Sequence, residues 1–169
     1  FVIENGTLEE YKGKDIAVEI PDGVTEIGGW AFDGCKMLTS VTIPDSVKRI
    51  GAWAFDGCKK LTSVTIPGKV EEIGFRAFEG CENLALVTIP DSVNVIDEHA
   101  FEGCSKLTVI ISGCPKRKGA IFKDVKSVVA PHIPLTEFSV SEEKKAATKG
   151  FLQKSSLYTE SEIVGSYHK

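Results

Sequence analysis

Apolar side chains return along this chain at a fixed step. Pro21, Pro44, Pro67 and Pro90 lie 23 residues apart, as do Phe32, Phe55, Phe78 and Phe101. The same step relates Val24, Val47, Val70 and Val93; Ile27, Ile50, Ile73 and Ile96; Ala31, Ala54, Ala77 and Ala100; Gly34, Gly57, Gly80 and Gly103; and Cys35, Cys58, Cys81 and Cys104. Two successive copies over residues 61–106, LTSVTIPGKVEEIGFRAFEGCEN and LALVTIPDSVNVIDEHAFEGCSK, coincide at their main apolar and Pro positions. A fixed period of this length marks a solenoid in which every turn adds one supersecondary unit.

Within a unit the local periodicities assign the parts. In Leu38-Thr39-Ser40-Val41-Thr42-Ile43, alternation turns Val41 and Ile43 inward and Ser40 and Thr42 outward, which predicts a short parallel strand. Pro44 ends it, because a residue without an N–H cannot extend a central ladder. Val47 and Ile50 then point inward, and Ala54-Phe55 followed by Gly57-Cys58 predicts a short helical or 3-10 turn on the opposite wall. One rung cannot offset the entropy of ordering its own backbone. Stacking at about 4.8 Å, with Phe on Phe and Ile on Ile, supplies a continuous core.

Ahead of the array, FVIENGTLEEY holds Asn5-Gly6, a strong two-residue hairpin signal, so residues 1–4 and 7–11 are expected as two strands of an N-terminal cap. Behind it, LTVIIS at 107–112 begins a fifth strand that no Ile-Pro follows. Residues 120–130, AIFKDVKSVVA, are expected as a capping strand or short helix. Pro131 and Pro134 set a connector, and Ser139-x-x-Glu142 and Thr159-x-x-Glu162 are capping-box patterns for helices near 142–152 and 160–167.

The sentence LxxVxIPxxVxxIGxxAFxGC, present at 38–58 and 61–81, resembles the BspA-like, treponemal-type leucine-rich repeat of bacterial proteins. The first unit, IAVEIPDGVTEIGGWAFDGC at 16–35, matches apart from its leading Leu, and the fourth departs by placing Asp97 where the pattern has Gly. The resemblance implies a right-handed leucine-rich repeat solenoid of short parallel strands and short turns, capped at both ends. The expected organisation is a hairpin cap at 1–15 and about four and a half rungs at 16–112, then a C-terminal cap and connector at 113–134 and the start of a truncated α-helical module at 135–169. The chain begins FVIENG without Met and ends SYHK, which reads as a piece of a longer protein.

Charge narrows the partners. Residues 1–112 hold 10 Lys and Arg against 18 Asp and Glu, whereas residues 113–169 hold 10 against 6. An array this acidic repels a phosphate backbone, which argues against nucleic acid. Lys116-Arg117-Lys118 is too short a cluster to be more than a solvated turn. No apolar run approaches the roughly 18 residues of a membrane span, so no membrane insertion is expected.

The chemistry-bearing residues read mostly as structure. Four Cys one rung apart are collinear and cannot form the tetrahedron zinc needs, so buried thiols acting as small hydrophobes are expected. Cys114 makes the count odd, which suits the cytoplasm better than an extracellular disulfide framework. His99, His132 and His168 are scattered, and His99 takes the variable slot of Trp30, Trp53 and Arg76. Glu71-Glu72 and Asp97-Glu98 belong to charged loops, and no glycine sits in a phosphate-binding motif. No catalytic residue, cofactor or metal ligand is assigned.

What remains is the outward face of the strands, the surface that the resemblance implies for ligands. By phase its members are Ala17 and Glu19, Ser40 and Thr42, Ser63 and Thr65, Leu86 and Thr88, then Val109 and Ile111. The apolar end either meets a partner or is covered by the chain after Gly113 folding back. Trp30, Trp53 and Phe75 form a second candidate, an aromatic stripe on the outer wall. The expected function is a non-enzymatic protein-binding or adhesion scaffold, the family implying a surface or secreted location and a host or matrix protein as partner. The alternative is a spacer that positions a helical module following Lys169. The sequence sets no oligomeric state.

Overall fold

The computed structural model describes residues 1–112, 116–117 and 125–129. Strands β1 (Val2–Glu4) and β2 (Thr7–Glu10) form an antiparallel hairpin. Asn5 and Gly6 at its tip take φ of 50° and 82°, the left-handed pair that a two-residue turn requires. Each rung then gives two strands, one to each of two sheets. They are β3 (Ala17–Glu19) and β4 (Glu26–Ile27), β5 (Ser40–Thr42) and β6 (Arg49–Ile50), and β7 (Ser63–Val64) and β8 (Glu72–Ile73). β9 (Leu86–Ile89) and β10 (Val95–Ile96), β11 (Thr108–Ile111) and β12 (Lys116–Arg117), and finally β13 (Ser127–Val129) follow.

The odd strands from β3 to β13 form one parallel sheet, the face sheet. The other runs β1-β2-β4-β6-β8-β10-β12, parallel except at the hairpin. Val18, Val41, Val64, Val87, Val109 and Val128 point into the core along the face sheet, with Ile27, Ile50, Ile73 and Ile96 opposite them. Phe32, Phe55, Phe78 and Phe101, all at 0% exposure, stack with centroids 4.9, 5.0 and 5.4 Å apart and planes within 11°. The hairpin seals the near end: Leu8 is fully buried, and Tyr11 lies over Phe32 at 5.2 Å.

Three features differ from the sequence reading. The wall opposite the face sheet carries no helix among the described residues. Its N–H groups alternate instead between two kinds of partner. Those of Trp53, Phe55 and Gly57 bond to Phe75, Ala77 and Glu79 of the next rung, and those of Ala54, Asp56 and Cys58 bond three residues back. A helix would need every one of them locally, so rung-to-rung bonding displaces it. The two-residue strands of the second sheet were not foreseen, being too short to show any alternation. Pairing also continues past residue 112: β12 joins β10, which the pattern did not predict, while β13 on β11 falls within the stretch expected as a capping strand or short helix. Lys116-Arg117, expected as a turn, is therefore strand. The expected helices near 142–152 and 160–167, the connector, Cys114, His132 and His168 lie outside the described residues.

At the glycine that follows the inward Ile, the backbone of the preceding rung lies close. A Cβ on Gly51 would stand 2.8 Å from the Gly28 carbonyl carbon, the Gly29 nitrogen and the Ile27 oxygen. The cause is Gly51 N–H donating to the Ile27 carbonyl at 2.7 Å. Asp97 holds the equivalent place in the fourth rung and keeps that bond, its N–H donating to Ile73 at 2.9 Å.

Candidate functional site

Parallel pairing sets the face-sheet residues in columns. Ala17, Ser40, Ser63, Leu86, Thr108 and Ser127 align in one, and Glu19 and Thr42 begin the other, in which Thr88 pairs with Ile110. Glu19, Thr42, Ser63, Thr65, Leu86 and Thr88 are exposed and Ser40 half-buried. The neighbouring hydroxyls of Thr39 and Thr62 donate to carbonyls of the preceding rung at 2.9 and 3.1 Å. Those of Ser40, Thr42, Ser63, Thr65 and Thr88 make no hydrogen bond among the described residues, which leaves a hydroxyl field facing water.

The apolar end of this face is a correction. Val109 and Ile111, expected outward, are fully buried. Leu86 pairs with Thr108 and Val87 with Val109, because the fifth unit has one residue fewer between its Leu and its Val: Leu107-Thr-Val109 against Leu84-Ala-Leu-Val87. A constant step overshoots there, and a one-residue slip exchanges the two faces of a strand. The outward residues are Thr108 and Ile110, both half-buried. The exposed apolar member is Leu86, at 48%.

On the turn wall, Trp30, Trp53 and Phe75 are brought together. Trp30 and Trp53 stack at 4.8 Å and 5°, Trp53 meets Phe75 edge-on at 4.8 Å and 81°, and Phe75 meets His99 edge-on at 6.1 Å. The slot that holds Trp30, Trp53, Arg76 and His99 is left-handed at every rung, with φ between 53° and 58°. Non-glycine residues adopt this conformation rarely. Here it is held by one bond to the next rung and one within the turn: the Trp53 N–H donates to Phe75 at 2.9 Å, and the Trp53 carbonyl accepts from Asp56 at 3.0 Å.

Charge gathers beside this ladder. Arg76 lies 5.2 Å from the Phe75 ring centre and pairs with Glu79 at 2.8 Å and Glu102 at 3.3 Å. His99 stands 3.0 Å from Glu98 and 3.2 Å from Glu102. Burial, with the Glu79 and Asp33 carboxylates nearby, raises the Asp56 carboxyl above its ordinary range. Sequence reading missed this cluster, although Asp33, Asp56, Glu79 and Glu102 share one repeat position three residues after the slot.

The four cysteines among the described residues are free thiols, Cys58, Cys81 and Cys104 buried and Cys35 half-buried. Cys58, Cys81 and Cys104 donate to the carbonyls of Phe32, Phe55 and Phe78 at 3.1–3.3 Å. Burial pushes the Cys58 thiol up to about 12. A hydrogen bond with Cys104 and then burial raise Cys81. Such thiols stay protonated at neutral pH, and the thiolate is the form that ligates or attacks. Among the described residues no group of three or more His, Cys, Asp or Glu is arranged to hold a metal ion.

Comparison with known proteins follows the same lines. The model of the BspA type leucine rich repeat region, in 6 copies, matches residues 4–128. Among solved structures, a leucine rich cell surface protein from Faecalibacterium prausnitzii is 29% identical, with a TM-score of 0.59 over 84% of this chain and 37% of its own. A leucine-rich repeat protein from Bacteroides ovatus is also 29% identical, at 0.57, over 76% of this chain and 44% of its own. A leucine rich repeat protein of T. pallidum is 27% identical, at 0.56, over 85% of this chain and 86% of its own. The chain thus spans less than half the length of the first two. No match is found among curated proteins.

Proposed function

The chain belongs to the BspA-type leucine-rich-repeat family, and from that premise we propose that it is a non-enzymatic protein-binding or adhesion scaffold. One observation carries the reading. The Val, Ile, Ala and Phe side chains that repeat without change are buried in the core, while the face sheet presents Ser40, Thr42, Ser63, Thr65 and Thr88 with their hydroxyls unengaged. Six parallel strands pair along that face, so a partner meets it with little ordering cost. The partner we infer is another protein, of host or matrix origin, and the place of action a bacterial surface, in keeping with the cell-surface neighbour. Among the described residues no helix is long and apolar enough to cross a membrane.

The test is a four-site variant, S40K/T42K/S63K/T65K, assayed for binding to an immobilised extract of host extracellular matrix. Lys at these sites adds bulk and charge without touching the core. Loss of binding with an unchanged unfolding midpoint supports the scaffold reading. Undiminished binding that requires residues beyond Pro131 favours the spacer.

A further inference from the structure

The repeat offers an internal comparison on the turn wall. Across the third and fourth rungs, an aromatic ring, a guanidinium and two carboxylates come together: Phe75, Arg76, Glu79 and Glu102. In the first rung the slot of Arg76 holds Trp30, and the place of Glu79 is taken by Asp33. One face of Trp30 is covered by Trp53. On the other side the hairpin supplies no ring to continue the stack. Its Tyr11 has turned inward over Phe32, tied by its N–H to the Ala31 carbonyl at 2.8 Å. Trp30 is consequently 54% exposed, the largest side chain so exposed among the described residues.

The open side of Trp30 bounds a shallow pocket of about 420 Å³ whose walls include Glu9, Glu10, Tyr11 and Asp33, and no basic side chain lines it. Lys12, just outside, pairs with Glu10 at 3.2 Å, but both side chains are more than half exposed, so the pair is weak. Asp33 has no ion pair among the described residues. An indole face beside three carboxylates is complementary to a cation. A planar guanidinium suits it better than an ammonium, since it stacks on the ring and forks to a carboxylate at once. The excess of 18 acidic over 10 basic residues in 1–112 favours approach of a basic segment.

We propose that the pocket between Trp30 and the N-terminal hairpin docks an arginine side chain of a partner protein, completing from outside the set that Arg76 completes from within. The site lies on a different wall from the face sheet and stands independently of it.

The chain has two Trp, so indole N–H resonances report the site cleanly. The probe is acetyl-RGRGRG-amide, titrated at low salt beside its citrulline and lysine analogues. A saturable shift of the Trp30 indole is expected with the arginine peptide, weaker binding with lysine, and none with citrulline. By calorimetry, Trp30→Gly, which keeps the left-handed backbone free of strain, and E9Q/E10Q/D33N should each weaken binding at least fivefold. D22N/D45N/D91N removes the same charge elsewhere and should change it less than twofold, as should S40K/T42K/S63K/T65K. Equal binding of the citrulline peptide, equal loss in the two charge-removal triples, or no shift at Trp30 would overturn the proposal. Binding of argininamide as tight as that of the peptide would overturn the protein partner.

Discussion

Two aromatic ladders run side by side along this solenoid, two residues apart in sequence. Phe32, Phe55, Phe78 and Phe101 stack at 4.9–5.4 Å, and Trp30 and Trp53 at 4.8 Å. The rung spacing imposes both sets of distances, so stacking alone says nothing of purpose. Burial separates them. The Phe ladder is fully enclosed, whereas Trp30 is 54% exposed. Its ladder passes into edge contacts at Phe75 and His99 and into charge at Arg76. The inner ladder is uniform because each ring must fill the same cross-section. The outer one varies because its left-handed slot throws the side chain out of the core, where no neighbour dictates its shape.

The comparison breaks most visibly at Phe55. Phe55→Ala removes a ring stacked on both sides and should cost about 3–5 kcal/mol, read as a fall in the urea midpoint. Gly51→Ala tests the rung spacing that both ladders share. Its new Cβ meets backbone at 2.8 Å, and a loss of about 3 kcal/mol is expected. The buried Cys58 thiol gives the core a pH signature. Cys58 stays neutral up to about 12 in the native state, against an ordinary value of 9.0, so the native chain binds the proton more tightly. Its contribution is whole below pH 9 and declines by about 1.4 kcal/mol per unit as pH rises towards 12. Denaturation at pH 8, 10 and 11 should show that slope flattened in Cys58→Ala.

On the outer ladder the effects shrink. Trp53→Asn keeps a residue that tolerates the left-handed slot and should cost only about 0.5–1.5 kcal/mol, the scale of an aromatic pair. A loss as large as that of Phe55→Ala would erase the distinction between the ladders. The smallest change belongs to S40K/T42K/S63K/T65K, whose stability should stay within about 0.5 kcal/mol per site of the parent.

Much of this was legible in the sequence, for a physical reason. Core positions repeat because every rung encloses the same space, so the period alone named Val24, Ile27, Phe32 and their equivalents as inward. The face-sheet columns followed from alternation as far as Thr88. Past that point the one-residue shortening before Val109 was on the page, but a fixed step carried across it turned Val109 and Ile111 to the wrong side. The second sheet and the non-helical turns depend on which rung each N–H bonds to, and residue types do not record that choice. The left-handed slot was hidden for a related reason: Trp, Arg and His announce no positive φ as Gly does, and at Trp30, Trp53 and Arg76 a hydrogen bond to the next rung helps hold it.

The most direct test of recognition by the hydroxyl face is a methyl spectrum of the chain titrated with whatever protein the matrix extract yields. The account predicts that the Thr42, Thr65 and Thr88 methyls, at one repeat position of three successive rungs, shift together and saturate at one stoichiometry. A bound partner that leaves all three unmoved would contradict it.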